Sequence, residues 1–443
     1  MRVRWLGAAL AVALGVSMMA STAVAQSSSN EKPTATDVGI TATEIHVAVI
    51  ADVDNSIAPN LFKASVDGVN GWAKYINKNG GLAGRKVVVD FYDSKLNPTE
   101  TRNAEIKACE SDVAAIGTSA VFITSVDDMR NCKDSKGDTT GMPDIPFVST
   151  AIVQQCSDQS FPIAPPQIVC STKDQNPQTY QADVARGRYF EKKYGDNKLH
   201  GAYIFTTDSK QAHDSQVASL GALQDIGIKS DGDFEVSGRD PQSAYTPVVQ
   251  TMKAKQSNFA SCGGAFACTV NLRKEAALQG VTGVDVWDCG VQCYDKQFLT
   301  AGSSDVDGQY VDTLFLPFYS KADQKANKEL ANFVKYTGSN VASYGAYAWA
   351  AGEAFAQAVN AQVKAGGVNS VTRKTIFTQL NQINKFDANG MLAPIDLAGR
   401  KVSNCSVTMQ VKNGNFVRVN PTKPGTFSCP ANGTIERKLD LTN

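Results

Sequence analysis

The sequence predicts an α/β fold of two lobes, each built on a parallel sheet, joined by three crossings of the chain. Three observations predict it. Short β-type runs alternate with helical patterns, the alternation breaks at a proline-rich stretch and restarts, and the last third changes to helical patterns followed by a hairpin. Strand–helix–strand repetition implies parallel sheets covered by helices. A chain of 443 residues is also too long for one ordinary core.

In chain order, "EIHVAVIADV" (44–53) reads as a strand and 61–81 as a helix stopped by Gly-Gly. A strand at 85–93, a helix opened by "NPTETRNAEIKACES", and strands at 113–120 and 146–151 follow. "FPIAPPQ" then interrupts the pattern. The second run starts with a helix at 178–195 and a strand at 199–208. A helix running to "ALQDIGI" leads to a strand at 232–237, a helix at 244–256 and a strand at 258–264. A helix at 269–280 and a strand at 284–290 complete this run. The stretch 308–320 is strand-like, and helical patterns occupy 321–337, 342–365 and 372–384. Residues 405–419 form a hairpin around Asn413-Gly414, a pair suited to the left-handed turn that joins two strands tightly. If the late helices pack on the first lobe and the hairpin on the second, the chain crosses near 165–177, 314–320 and 390–398. Three such crossings make a hinge, and ligand would sit between the lobes against the carboxyl ends of the strands.

The amino terminus predicts export. Arg2 and Arg4 precede an apolar run from Trp5 to Ala20, and "AVA" before Gln26 supplies small residues for cleavage, so 1–25 reads as a signal peptide. Residues 26–41 read as a leader, and no cysteine follows the cleavage point to carry a lipid anchor. Without the signal peptide, 41 basic residues face 43 acidic ones, which argues against a nucleic-acid surface. All ten cysteines lie in the exported part, where an even number favours disulfides. Pairing near neighbours gives Cys109–Cys132, Cys156–Cys170, Cys262–Cys268, Cys289–Cys293 and Cys405–Cys429. Cross-pairing of 262 with 289 and 268 with 293 is a competitor, as is a zinc site at those four positions, although their spacings are not the usual CxxC.

The residues offer no catalytic signature. Histidine occurs only at 46, 200 and 213, and no zinc-protease, nucleophile-elbow, P-loop or dinucleotide fingerprint is present. What remains is a set of small polar loops at strand ends: "GTSA" (117–120), "STA" (149–151), "TTDSKQAHD" (206–214), "GGAFAC" (263–268) and "DCGVQC" (288–293). Backbone amides in such loops can hold a carboxylate or another acceptor. Ser and Gly that merely turn the chain explain any one loop; five on one edge of two sheets weigh more.

The order of elements resembles the type I periplasmic binding proteins of ABC importers, in the branched-chain amino-acid receptor group. "GVNGWAKYINKNGGLAGRKVVVDFYDSKLNPT", "VAAIGTSA", "IPFVSTA", "GQYVDTLFLPFY", "YGAYAWAAGEAFAQAV" and "FDANGMLAPIDLAGRK" carry the resemblance, which covers roughly residues 42–420. It implies a two-lobed type I fold, with lobe 1 at 42–170 plus 318–391 and lobe 2 at 171–317 plus 392–443. It implies capture of a small polar ligand, an amino acid or a related compound, and delivery to an ABC permease by a monomer that needs no cofactor or metal and catalyses nothing. The ligand set carried over is Ser119, Ala120 and Val121 at the first loop, Thr150 and Ala151 at the second, Asp208 and Gln211, Ala265 and Phe266, Asp288 and Gly290, and Tyr344. Gln211 stands where the family has an aromatic residue and Cys289 near its acidic slot, so the α-amino-acid clamp is only partly present. An exported sensing module that signals to a membrane partner is the alternative reading.

Overall fold

The computed structural model describes residues 31–56, 59–164 and 167–441. The expected signal peptide and the leader up to residue 30 lie outside them. The first sheet is parallel throughout, in the order β2-β1-β3-β4, with β1 (Glu44–Ala51), β2 (Lys86–Asp93), β3 (Ala114–Ile116) and β4 (Asp144–Ile145). β1 is rich in β-branched residues and buried along nearly its whole length, as suits a strand covered on both faces. Around it stand α1 (Lys63–Lys78), α2 (Pro98–Ser111) and the short α3 (Asp127–Arg130) and α4 (Ile152–Gln155). Asn97 caps α2 by accepting the amides of Thr99 and Glu100, with Pro98 in the first turn, where its missing N–H costs nothing.

The chain then enters the second unit through β5 (Gln178–Asp183) and α5 (Ala185–Tyr194). There follow β6 (His200–Thr206), α6 (Lys210–Asp225), β7 (Lys229–Val236), α7 (Thr246–Lys255), β8 (Phe259–Cys262) and α8 (Phe266–Leu278). β9 (Val286–Cys289), α9 (Lys296–Gly302) and β10 (Tyr310–Thr313) complete it. The chain returns to the first lobe with α10 (Lys321–Ala326), α11 (Lys328–Thr337), α12 (Ser343–Gly366) and α13 (Arg373–Leu380). It ends with β11 (Val407–Lys412), β12 (Asn415–Asn420) and β13 (Thr434–Leu439). The second sheet has seven strands, β12-β11-β10-β9-β8-β6-β7; β6 to β10 run parallel and the final hairpin adds antiparallel to β10. Asn413 and Gly414, at φ 50° and 68°, form the left-handed turn of that hairpin.

Two expected elements differ. Residues 178–183 are a strand rather than the start of a helix, because they pair antiparallel with β13, Asp183 opposite Thr434. The strand expected at 146–151 does not form: the strand here is the two residues before it, Asp144–Ile145, and the following residues form an open loop into α4.

α12 packs along α1. The approach is close where Gly68 meets Gly345: a Cβ on Gly68 would stand 2.3 Å from the Gly345 carbonyl oxygen. Beyond that crossing the buried Trp72 and Trp349 donate to Glu353 and Glu329. Chain passes between the sheets after β4, after β10 and after α13. The last two passes run side by side, with the Leu316 amide on the Met391 carbonyl and the Ala393 amide on that of Leu314. Phe315 and Phe318 stack there, and Tyr347 of α12 meets Phe315 edge-on.

Candidate functional site

β8, β9 and β10 end side by side at Cys262, Cys289 and Thr313. The residues just beyond them, Gly263, Gly290 and Leu314, line a cavity of about 350 Å³ that Tyr347 faces from the other lobe. This is where a parallel α/β sheet places ligands. Asp183, Arg186 and Asp312 also line it. The Arg186 Nε lies 3.2 Å from both carboxylate oxygens of Asp288, whose Oδ2 also accepts the Ser261 hydroxyl at 2.7 Å. Asp312 Oδ1 accepts the Thr408 hydroxyl at 3.1 Å. One guanidinium therefore serves three carboxylates.

The energetics of this cluster are set by burial. Burial pushes the Asp183 carboxyl up to about 6, against the Ala185 amide and Arg186, which pull it down. Asp312 is pushed well above the usual range by burial and then by the charge of Asp183. Arg186 loses solvation too, but Asp288, Asp312 and Asp183 outweigh the loss and hold it charged. The cluster can release or take a proton near neutrality, and it presents both charge and hydrogen-bonding groups to the cavity.

Two further cavities continue the cleft. One, of about 300 Å³, lies between Thr150 and Ala151 of the first lobe and Gln211, Asp214 and Ser215 of α6. The Thr150 hydroxyl, and that of Ser149 beside it, are buried with no hydrogen-bond partner. The other, of about 760 Å³, lies between Leu61 and Tyr344 on one side and Ala265 and Phe266 on the other. Gln167 and Ser215 line both the first and second cavities, and Gln292 both the first and third, so the three form one cleft. A depression of about 660 Å³ between the 134–140 loop and α13 is faced by the first lobe alone.

The cleft brings together Thr150, Ala151, Gln211, Ala265, Phe266, Gly290 and Tyr344 of the residues expected from sequence. Ser119, Ala120, Val121, Asp208 and Asp288 line none of these three cavities. The Ser119 hydroxyl is fully buried and spends itself on Ser65 and the Gly117 carbonyl, and its amide on Ile50. Ala120 is equally buried. The Val121 amide donates to Asp52, a buried carboxylate that also takes the Ser94 hydroxyl and the Leu96 amide. Asp208 accepts the Ser237 hydroxyl and the Gly238 amide at the end of β7. Asp288 lies behind the cavity, held by Arg186 and Ser261. Arg186, Asp183 and Asp312 were the residues sequence reasoning missed. An aspartate inside the apolar strand "YVDTLF" was the available signal, since a carboxylate in such a run needs a buried partner.

All ten cysteines are paired: 109–132, 156–170, 262–268, 289–293 and 405–429. The third and fourth close the loops that leave β8 and β9, so each ties the cleft wall to the end of its own strand.

Two strand–helix lobes, linked by three passes and enclosing a polar cleft, define the type I class of two-lobed binding proteins. The chain belongs to the periplasmic binding protein family, whose model matches residues 44–415. Its fold is similar to that of a leucine-binding protein from Thermotoga maritima, at 15% identity and a TM-score of 0.63 over 87% of this chain and 99% of that one. A branched-chain amino acid transporter substrate-binding protein from Streptococcus pneumoniae, in complex with isoleucine, matches with 15% identity and a TM-score of 0.62 over 84% and 98%. A fatty acid ABC transporter substrate-binding protein from Thermomonospora curvata matches with 13% identity and a TM-score of 0.62 over 89% and 96%. No curated protein sequence matches this chain.

Proposed function

We propose that this protein is the exported solute-binding component of an ABC importer, taking a small polar ligand between its lobes and presenting it to a membrane permease. The lobes comprise 42–170 with 318–391, and 171–317 with 392–443, and the paired passes at 314–316 and 391–393 act as the hinge. One observation carries the reading: side chains of opposite lobes, Thr150 with Gln211 and Tyr344 with Phe266, line the same cavities, so closure completes the site. The unpartnered Thr150 hydroxyl and the amides of Gln211, Gln167 and Gln292 favour a ligand rich in hydrogen-bonding groups. Family membership and the binding proteins among its structural neighbours support the same reading.

The test is native mass spectrometry of the small molecule that copurifies with residues 26–443, followed by thermal melts with that compound and with panels of amino acids, amides and small aromatic acids. A ligand at a hundred times its Kd stabilises the closed state by about 2.7 kcal/mol. No bound molecule and no shift with any panel member would overturn the proposal.

A further inference from the structure

The first lobe carries a second cluster of ligating groups, at the end away from the cleft. His46 lies in the amino-terminal half of β1, and Asp90 on the neighbouring β2, where Ala48 is its register partner. Asp112 ends α2 directly before β3, and the Val113 amide donates to the His46 carbonyl. His46 Nδ1 and Asp90 Oδ2 are 2.7 Å apart, and one donor atom from each of the three residues lies within 4.8 Å of the others. Glu44 Oε2 stands 3.5 Å from the second ring nitrogen of His46.

A second observation concerns Asp112 alone. It has no exposed surface; its Oδ2 accepts the Tyr92 hydroxyl at 2.8 Å, while its Oδ1 is buried with no partner. A buried carboxylate oxygen without a donor carries a desolvation cost that a cation relieves. Arg373 is the nearby buried cation, but its terminal nitrogens are spent on the carbonyls of Cys109, Lys133 and Asp112.

We propose that His46, Asp90 and Asp112 bind a divalent transition-metal ion, with zinc as the probe. One imidazole nitrogen and two carboxylate oxygens suit zinc, with bonds of about 2.0–2.2 Å. Donors around such an ion stand about 3.4 Å apart. His46 and Asp90 are only partly buried and can turn inward to meet Asp112. Glu44 serves as the outer partner that orients the ring. The ion would tie β1, β2 and the end of α2 together without touching the cleft.

The experiment uses the mature chain, stripped with chelator and titrated with zinc by calorimetry. In parallel, the imidazole resonances are followed by 15N-correlated NMR. The expected result is one zinc ion that shifts the His46 signals, with affinity falling at least about tenfold in His46→Gln and in Asp90→Asn and unchanged in His200→Ala and His213→Ala. The NMR arm needs no variant, so a folding defect does not obscure the answer. Absence of binding at about 1 mM zinc, or binding abolished by His200→Ala or His213→Ala with His46→Gln silent, overturns the proposal. The three groups would then be a proton-bridged ion pair only.

Discussion

Replacing Arg186 with methionine tests the charge cluster at the floor of the cleft. Methionine keeps an unbranched apolar stem but removes the guanidinium that faces Asp183, Asp288 and Asp312. Asp288, with 1% of its side chain exposed, is left with the Ser261 hydroxyl as its hydrogen-bond donor. Removing one partner of a buried ion pair costs about 3–5 kcal/mol, a large share of a native stability of about 5–15 kcal/mol. The cost must also depend on pH. Asp183 titrates near 6 in the folded chain against an ordinary 3.8, so its stabilising contribution is complete below its unfolded value and is lost as pH rises through 6. Without Arg186 that folded value rises further, and the loss deepens above neutrality. Urea melts at pH 5 and pH 8, followed by far-ultraviolet circular dichroism, measure both effects. We expect the Arg186→Met penalty to be larger at pH 8. The double variant Arg186→Met/Asp288→Leu should cost less than the two single changes together, by about 2 kcal/mol or more, because Asp288 is then no longer left stranded without its ion-pair partner. A penalty below about 1 kcal/mol at both pH values, a penalty larger at pH 5, or strict additivity would refute the reasoning.

Thr150→Val removes an unpartnered buried hydroxyl at nearly constant shape. The ligand-free melting temperature should hold or rise, while ligand affinity, read by calorimetry with the copurified compound, falls about 2–13-fold for the one lost hydrogen bond. Glu105 is 2% exposed, its Oε1 has no partner, and burial followed by Asp144 and Asp128 pushes it up to about 8 from 4.5. Wild-type stability should therefore fall as pH rises from 4.5 through 8, and Glu105→Gln should lose that part of the slope. Urea melts at pH 9 should find the variant more stable by a few kcal/mol, up to about 5 at full ionisation. Gly68→Ala drives a methyl group to 2.3 Å from the Gly345 carbonyl, so α1 and α12 must part. The expected cost is about 1–3 kcal/mol, together with weaker ligand binding as Tyr344 shifts with the start of α12; urea melts and the same calorimetry check it.

What the sequence made legible was what local patterns encode. β1, α1 and the α2 cap are written in neighbouring residues: a β-branched run, a helical period, an Asn-Pro start. β5 is not. "QTYQADVARGRYF" runs from strand to helix without a glycine or proline between them, and the strand exists because Thr434–Leu439 lies beside it, some 250 residues on. The same limit governs the cleft. Topology places the strand-end loops on one edge, and that much is readable from alternation. Which donors in those loops remain free depends on contacts between distant segments. Ser119 is answered by Ser65, and Asp288 by Arg186.

Asp52 makes the point with consequences for specificity. Its buried carboxylate accepts the Ser94 hydroxyl and the amides of Leu96 and Val121. Val121 is one of the residues that the family resemblance places in the ligand set. An internal carboxylate already held by three donors has no reason to yield one of them to a solute, since freeing it would leave Asp52 undersatisfied in a site with no access to water. We expect recognition in the cleft to draw on the unpartnered Thr150 hydroxyl of one lobe and on the hydrogen-bonding capacity that Gln211, Ser215 and Gln292 of the other keep beyond their internal bonds. Those side chains are ones that alternation alone cannot rank.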